Sequence, residues 1–346
     1  MAAELGDTKV MEPVLLGVYT SADVLLAAKS ASRFADSLGF SPAECEELAL
    51  VLTELSTNLL KHAPGGALRL SRIEAPGRVG IQIESDDTGP GIPDLEQAIV
   101  DGYSTAGSLG TGLGTVNRLV DELAACSRPQ PGGLRLICQR WIRPRTNGLR
   151  MVDLACGVAT RSYRLLPENG DAFIVKQWER HALVGVIDGL GHGQFAQRAA
   201  QTARQYIEHH YDQPLESLFR GAGRACRATR GVVMALGHLD LDRHKLTLAS
   251  VGDIEVRLIG NPERFNFIVK RGIVGLNTPN PVSSEHSWTS DSLLIMHSDG
   301  LRTKWTWDEF SDVAGAAPQV IAKRLLEGLG RLDDDATVLV VRNSLP

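Results

Sequence analysis

Three short runs in the first half of the chain have the residue types and spacing suited to handling a nucleotide. Glu47, Glu54, Asn58 and Lys61 fall seven, four and three apart, so on a helix they share a polar stripe opposite Leu48, Val51, Leu52, Leu55 and Leu59. Such a stripe faces either solvent or a polar ligand. Asp86-Asp87-Thr88-Gly89-Pro90-Gly91 follows an apolar alternating segment. A carboxylate at a strand end, followed by two glycines, lets backbone approach a planar ligand while the acid accepts from its amino group. The third run, Gly110-Thr111-Gly112-Leu113-Gly114, leads into a helix, where unpaired N–H groups and the positive end of the dipole favour phosphate. It is not a Walker loop, since no Gly-Lys-Ser/Thr follows, nor a dinucleotide fingerprint, since the acid precedes the glycines.

In the second half, aspartates repeatedly follow apolar strands. Asp188 ends Leu183–Ile187 and precedes Gly189-Leu190-Gly191-His192-Gly193; Asp299-Gly300 follows Leu293–Ser298; Asp334 precedes Thr337-Val338-Leu339. Each alone is an ordinary turn signal. Together, carboxylates converging at one end of a sheet repel one another unless a hard divalent cation lies between them, and oxygen-only ligation selects Mg2+ or Mn2+ over zinc.

The elements that must position these groups are legible from pattern. Ser41-Pro42-Ala43-Glu44 is a capping box with proline at the first helical position, which predicts a helix over 42–62 with His62 at its C-terminal end, a cap rather than a phosphoacceptor. Strands are expected over 68–73, 79–84 and 134–138, and a second amphipathic helix over 113–123. The turn-rich Arg143-Pro144-Arg145-Thr146-Asn147-Gly148 marks a seam. The chain is therefore cut into domains 1–143 and 150–346 with a linker over 144–149. Beyond it, strands over 171–177, 182–187, 232–239, 245–251, 293–297 and 337–341, with helices over 195–210, 215–229 and 318–328, predict two sheets covered by helices.

The order Glu54…Asn58, Asp87-x-Gly89-x-Gly91, Gly110-x-Gly112-x-Gly114 resembles the N, G1 and G2 boxes of the GHKL ATPases, the Bergerat fold, and over about residues 10–143 the chain resembles the RsbT-type switch kinases. The resemblance implies an α/β sandwich that binds ATP, with Asn58 as the Mg2+ ligand and Glu54 as the base for the attacking hydroxyl. It also implies Asp87 as the adenine reader and Gly110–Gly114 as the phosphate lid. A base one helical turn from a metal ligand suits phosphoryl transfer.

Residues 150–346 resemble the PPM phosphatases, in particular the SpoIIE-like branch with its small RsbX-type members, through Gly170-Asp171, the run 188–193, Ser250–Asp253, His297–Leu301 and Asp334–Thr337. This implies an αββα sandwich whose paired Mg2+ or Mn2+ ions are held by Asp188, the Gly189 carbonyl, Asp299 and Asp334, with Asp171 acting through water. Asp333 and Asp335 flank the implied ligand, and Asp253 is either a third metal site or a turn residue. Two such ions lower the pKa of a bridging water and clamp a phosphomonoester. His192 is read as a metal ligand, an acid or a loop cap, the last being favoured. Trp305, Trp307 and Phe310 are read as a partly exposed cluster, either local core or a docking patch.

Composition sets the outer limits. The 346 residues, 43% of them hydrophobic and 22% charged, allow about two globular domains, and 41 acidic against 36 basic residues without a Lys/Arg-rich run argue against a nucleic-acid partner. The amino terminus has no basic n-region and no run near the ~18 apolar residues of a membrane span, so a cytoplasmic chain is expected. Cys45, Cys126, Cys138, Cys156 and Cys226 read as reduced core residues. The expected function is a bifunctional Ser/Thr kinase and phosphatase acting on STAS-domain phosphoproteins of a stress or sigma-factor pathway. The alternative is a phosphatase carrying a non-catalytic ATP-binding docking module, or an anti-sigma factor.

Overall fold

The computed structural model describes residues 12–75, 78–90, 112–128, 133–143, 154–260 and 267–343, and the chain divides into two compact units, 1–143 and 144–346. In the first, β1 (Val14–Val18), α1 (Ser21–Leu38), α2 (Pro42–His62), β2 (Gly66–Ala75), β3 (Arg78–Asp87), α3 (Gly112–Leu119), β4 (Glu122–Arg128) and β5 (Gly133–Trp141) follow in order. The strands form one antiparallel sheet, β1-β2-β3-β5-β4. The capping box starts α2 as expected: Ser41 N–H donates to Glu44 Oε2 at 2.9 Å, and the Glu44 N–H donates back to Ser41 Oγ. Five residues of α2, Leu48, Val51, Leu52, Leu55 and Leu59, are buried with Leu68, Leu70, Ile81 and Ile83 of the sheet. At roughly 1.5–3 kcal/mol per buried leucine, this stripe anchors the helix that carries Glu54 and Asn58.

The second helix is shorter than its apolar pattern suggested. It ends at Leu119, and Leu123 lies in strand β4. Asp121 makes the break: its N–H donates to Gln139 O at 2.8 Å, and its carboxylate accepts from the Trp141 N–H and the Arg143 guanidinium, drawing the chain into pairing with β5.

The second unit contains β6 (Leu154–Arg161), β7 (Asp171–Trp178), β8 (His181–Gly189), α4 (Gln194–His209), α5 (Leu215–Ala225), β9 (Val232–Asp240), β10 (Lys245–Val251), β11 (Glu255–Ile259), β12 (Ser284–Ser287), β13 (Leu293–His297), α6 (Pro318–Leu329) and β14 (Ala336–Asn343). Two antiparallel sheets, β12-β10-β9-β8-β7 and β11-β13-β14-β6, face each other. Val184, Val186, Ala235, Met296 and Leu339 fill the layer between them. Helices α4 and α5 cover the outer face of one sheet, and α6 covers that of the other. This is the αββα sandwich expected from the sequence. No helix among the described residues is long and apolar enough to cross a membrane.

Candidate functional site

In the first unit, half-buried Glu54 and Asn58 project from α2 toward the start of α3. A Cβ on Gly112 would lie 3.2 Å from Glu54 Oε2 and 3.5 Å from Asn58 Oδ1, which sets the start of α3 in contact with both side chains. Asp87 closes β3, and its Oδ1 accepts the N–H groups of Gly89 (2.8 Å) and Leu134 (3.1 Å), which fixes the carboxylate. Gly89 itself lies against the end of α2, where a Cβ would meet the His62 carbonyl at 2.7 Å. The Leu113 side chain is packed in the core and Gly114 is buried, so what Leu113 can offer a ligand is backbone. Gly91, Gly110 and Thr111 lie outside the described residues. The polar stripe of α2 also divides. Glu47 pairs with buried Arg140 at 2.8 Å, a structural use, while Lys61 is exposed.

In the second unit, strand register assembles the acids. Asp171 of β7 stands directly opposite Asp188 of β8, a like-charged cross-strand pair that costs stability when both members are ionised. Alternation along β8 puts Asp188 on the same face as Val184 and Val186, toward the other sheet. There Ser298, just past β13, donates from Oγ to Asp171 Oδ2 at 2.6 Å and accepts the Thr337 N–H at 2.9 Å. Burial, then the charges of Asp171, Asp299 and Asp334, push the Asp188 carboxyl up to about 10. Burial also raises Asp171, to about 7, against the Ser298 hydrogen bond that favours its ionised form. Asp334 is raised by burial and by Asp299. Asp335 is buried, its Oδ1 accepting the Tyr163 N–H at 2.9 Å and its Oδ2 having no hydrogen-bond partner among the described residues. Gly189 is packed so tightly on α4 that a Cβ would overlap the Ala196 carbonyl at 2.1 Å.

Residues 44–140 match the histidine kinase-, DNA gyrase B- and HSP90-like ATPase family, and residues 179–344 match the stage II sporulation protein E (SpoIIE) family. The chain is a fusion of the two. Its ATPase unit is similar to the serine/threonine-protein kinase RsbT of Bacillus subtilis (strain 168), with 32% identity over 126 residues, 36% of this chain and 94% of that protein. The chain is also similar to the phosphoserine phosphatase RsbX of the same organism, with 23% identity over 150 residues, 42% of this chain and 75% of that protein. A solved structure described as "The bacterial stressosome: a modular system that has been adapted to control secondary messenger signaling" matches with 30% identity and a TM-score of 0.52, covering 55% of this chain and 99% of that one.

The donor set in the SpoIIE-family unit suits hard divalent cations: it is all oxygen, it is crowded with like charge, and the buried Asp171 Oδ1 has no hydrogen-bond partner. The acids lie within electrostatic reach without being gathered into a cage; among the described residues no three His, Cys, Asp or Glu side chains converge as a formed metal centre. Asp253 sits exposed in the turn after β10. The exposed His192 ring stacks on Tyr163 with centroids 4.3 Å apart. Trp305 and Phe310 are buried in the core beneath α6 with half-buried Trp307 packed against them, so of the two readings of this cluster the structure favours local core. Cys126 is exposed, so the cysteines are not all core residues. Ser298 and Thr337 escaped the sequence reading of the site, although the alternation Leu294, Met296, Ser298 points the serine to the inter-sheet face.

Proposed function

We propose that the chain sets the phosphorylation state of a STAS-domain regulator in both directions. Its ATPase unit would act as an ATP-dependent protein serine/threonine kinase, and its SpoIIE-family unit as a Mg2+- or Mn2+-dependent phosphoserine/phosphothreonine phosphatase, in a cytoplasmic partner-switching pathway. The observation that carries the reading is the strand register that sets Asp171 opposite Asp188, within electrostatic reach of Asp299 and Asp334, so that burial and like charge raise these carboxyls and added positive charge would relieve them. Asp188, the Gly189 carbonyl, Asp299 and Asp334 would hold the cations, and Asp171, tethered by Ser298, would orient water beside them. When bound, the cations supply charge neutralisation to the phosphate and acidify water for attack.

In the kinase half, Glu54 would take the proton of the substrate hydroxyl, and Asn58 would help hold Mg2+, which would supply positive charge to the phosphates of the nucleotide. Asp87 reads the adenine amino group, and the backbone of the glycine run through Gly112 and Gly114 meets the phosphates. The proximity of Gly112 to Glu54 and Asn58 supports this half, as does similarity to RsbT across nearly its whole length. The test is to incubate the full chain with γ-labelled ATP, a STAS-domain protein and Mn2+. Label should appear on the STAS protein and then leave as inorganic phosphate. Asp188→Asn and Asp299→Asn should trap the label, and Glu54→Gln should prevent its appearance. Label loss at the wild-type rate in both aspartate variants would refute the phosphatase assignment.

A further inference from the structure

A cation lies beside the loop that follows Asp188. Arg230 occupies the turn leading into β9, two residues before Val232, which pairs with Gly189 in the β8–β9 ladder. The turn is built rather than loose. The Thr229 hydroxyl donates to Cys226 O at 2.6 Å and accepts the Gly231 N–H at 3.0 Å, and Gly231 O accepts the Leu190 N–H at 3.1 Å. That last bond clamps the turn to the loop that follows Asp188. The Arg230 guanidinium lies over the ring of Phe195, 5.0 Å from its centroid, and Phe195 is 55% exposed at the start of α4. Its Nη1 comes within 2.8 Å of where a Cβ on Gly191 would sit, and Gly191 has φ +88°. A side chain at 191 would therefore be strained and would push the guanidinium off the loop.

No carboxylate among the described residues pairs with Arg230. An arginine held over an aromatic face by its charge still has N–H donors to offer an oxyanion in a two-point contact. The group that must reach this loop in a phosphatase is a phosphomonoester dianion, which approaches a surface dense in negative charge. We infer that Arg230, held by Phe195, is a substrate-binding residue that receives the phosphoryl oxygens at the entrance to the Asp188 site. This rests on the phosphatase reading of that site.

Hydrolysis of p-nitrophenyl phosphate by the full chain in saturating Mn2+, with inorganic phosphate as product inhibitor, tests it. Arg230→Ala should raise both the KM and the phosphate Ki on the order of 10- to 100-fold, the loss expected for a charge-assisted hydrogen-bond pair. The fall in kcat should be smaller, and Mn2+ affinity measured directly by electron paramagnetic resonance should not move. Arg230→Lys should fall between, since the ammonium keeps charge but loses the planar two-point contact. Phe195→Ala should raise both constants by about 2- to 5-fold. Arg220→Ala removes an exposed cation of α5 and serves as the charge control. A KM and Ki within twofold of wild type in Arg230→Ala, an equal rise in Arg220→Ala, or weakened Mn2+ binding would each overturn the inference. Absence of Mn2+-dependent hydrolysis in the wild type would instead bring down the phosphatase reading itself, and the inference with it.

Discussion

Stripping divalent cations should make the SpoIIE-family unit lose stability as pH rises, and Asp188→Asn should remove much of that loss. The sign follows from the direction of the shift. A carboxyl raised by folding binds more protons native than unfolded, so its contribution is full below the ordinary aspartate value and declines as pH climbs toward the folded one. Burial and three neighbouring acids put Asp188 near 10, so the decline spans the whole range from pH 5.5 to 7.5. Each proton held costs up to about 1.4 kcal/mol per pH unit, or about 2.7 kcal/mol across two units. For a unit of roughly 200 residues that is about 5–11 °C in Tm. The assay is scanning calorimetry of the full chain in EDTA, following the transition that Mn2+ shifts upward. Asp188→Asn should melt higher than wild type at pH 7.5 and show a shallower pH slope, while hydrolysing no phosphomonoester. A wild-type transition that is flat over this range, or an equally steep slope in the variant, would refute the argument that crowded charge is what a cation relieves here.

Glu54→Gln should lower phosphate transfer by about 10²- to 10⁴-fold while nucleotide affinity, measured by calorimetric titration, stays near wild type; unchanged transfer would favour a docking module over a kinase. Arg140 is 4% exposed beside Glu47 at 2.8 Å. Arg140→Ala should therefore cost the first unit about 3–5 kcal/mol in urea unfolding, and Arg140→Met clearly less, because the methionine refills the space. Ser298→Ala removes the 2.6 Å bond to Asp171 and the acceptor for the Thr337 N–H. It should weaken direct Mn2+ binding and lower stability by about 1–3 kcal/mol, whereas unaltered Mn2+ affinity would reduce Ser298 to a packing residue. Reaction with a thiol reagent in native buffer should label Cys126 fast and Cys45, Cys138 and Cys226 slowly, as mass spectrometry of the digested chain would show.

Where local chemistry decides structure, the sequence is readable. The capping box at Ser41 and the leucine stripe place α2 to the residue, and the polar–apolar alternation of Lys245–Val251 and the apolar run Leu293–Met296 place β10 and β13 equally well. Asp188, Asp299 and Asp334 are visible because each ends or precedes such a run. The αββα layering follows from runs too apolar to leave either sheet face in water. The helix starting at Ser21 carries a legible signal too, a Thr20–Asp23 capping box before an alanine-rich stretch. Strand β6 carries hardly any, since its small residues answer to tertiary contact: a Cβ on Gly157 would overlap the backbone of Pro318 at 2.1 Å.

What stayed hidden has a common physical cause, because it depends on pairing between segments far apart in the chain. The pattern Leu119, Val120, Leu123 fits a helix as well as a strand, and only Asp121 bonding to Trp141, twenty residues on, decides between them. Ser298 sits in the quoted motif beside Asp299, yet its use lies in reaching Asp171, 127 residues earlier. The same holds for the acids themselves. Asp171 and Asp188 are separated by a hairpin whose register alone makes them opposite partners, and a slip of one residue would turn one of them to the helix-covered face. Sequence order can therefore nominate carboxylates at strand ends, but whether they repel one another enough to need a cation is a property of register, fixed by the apolar residues that lock the two sheets together.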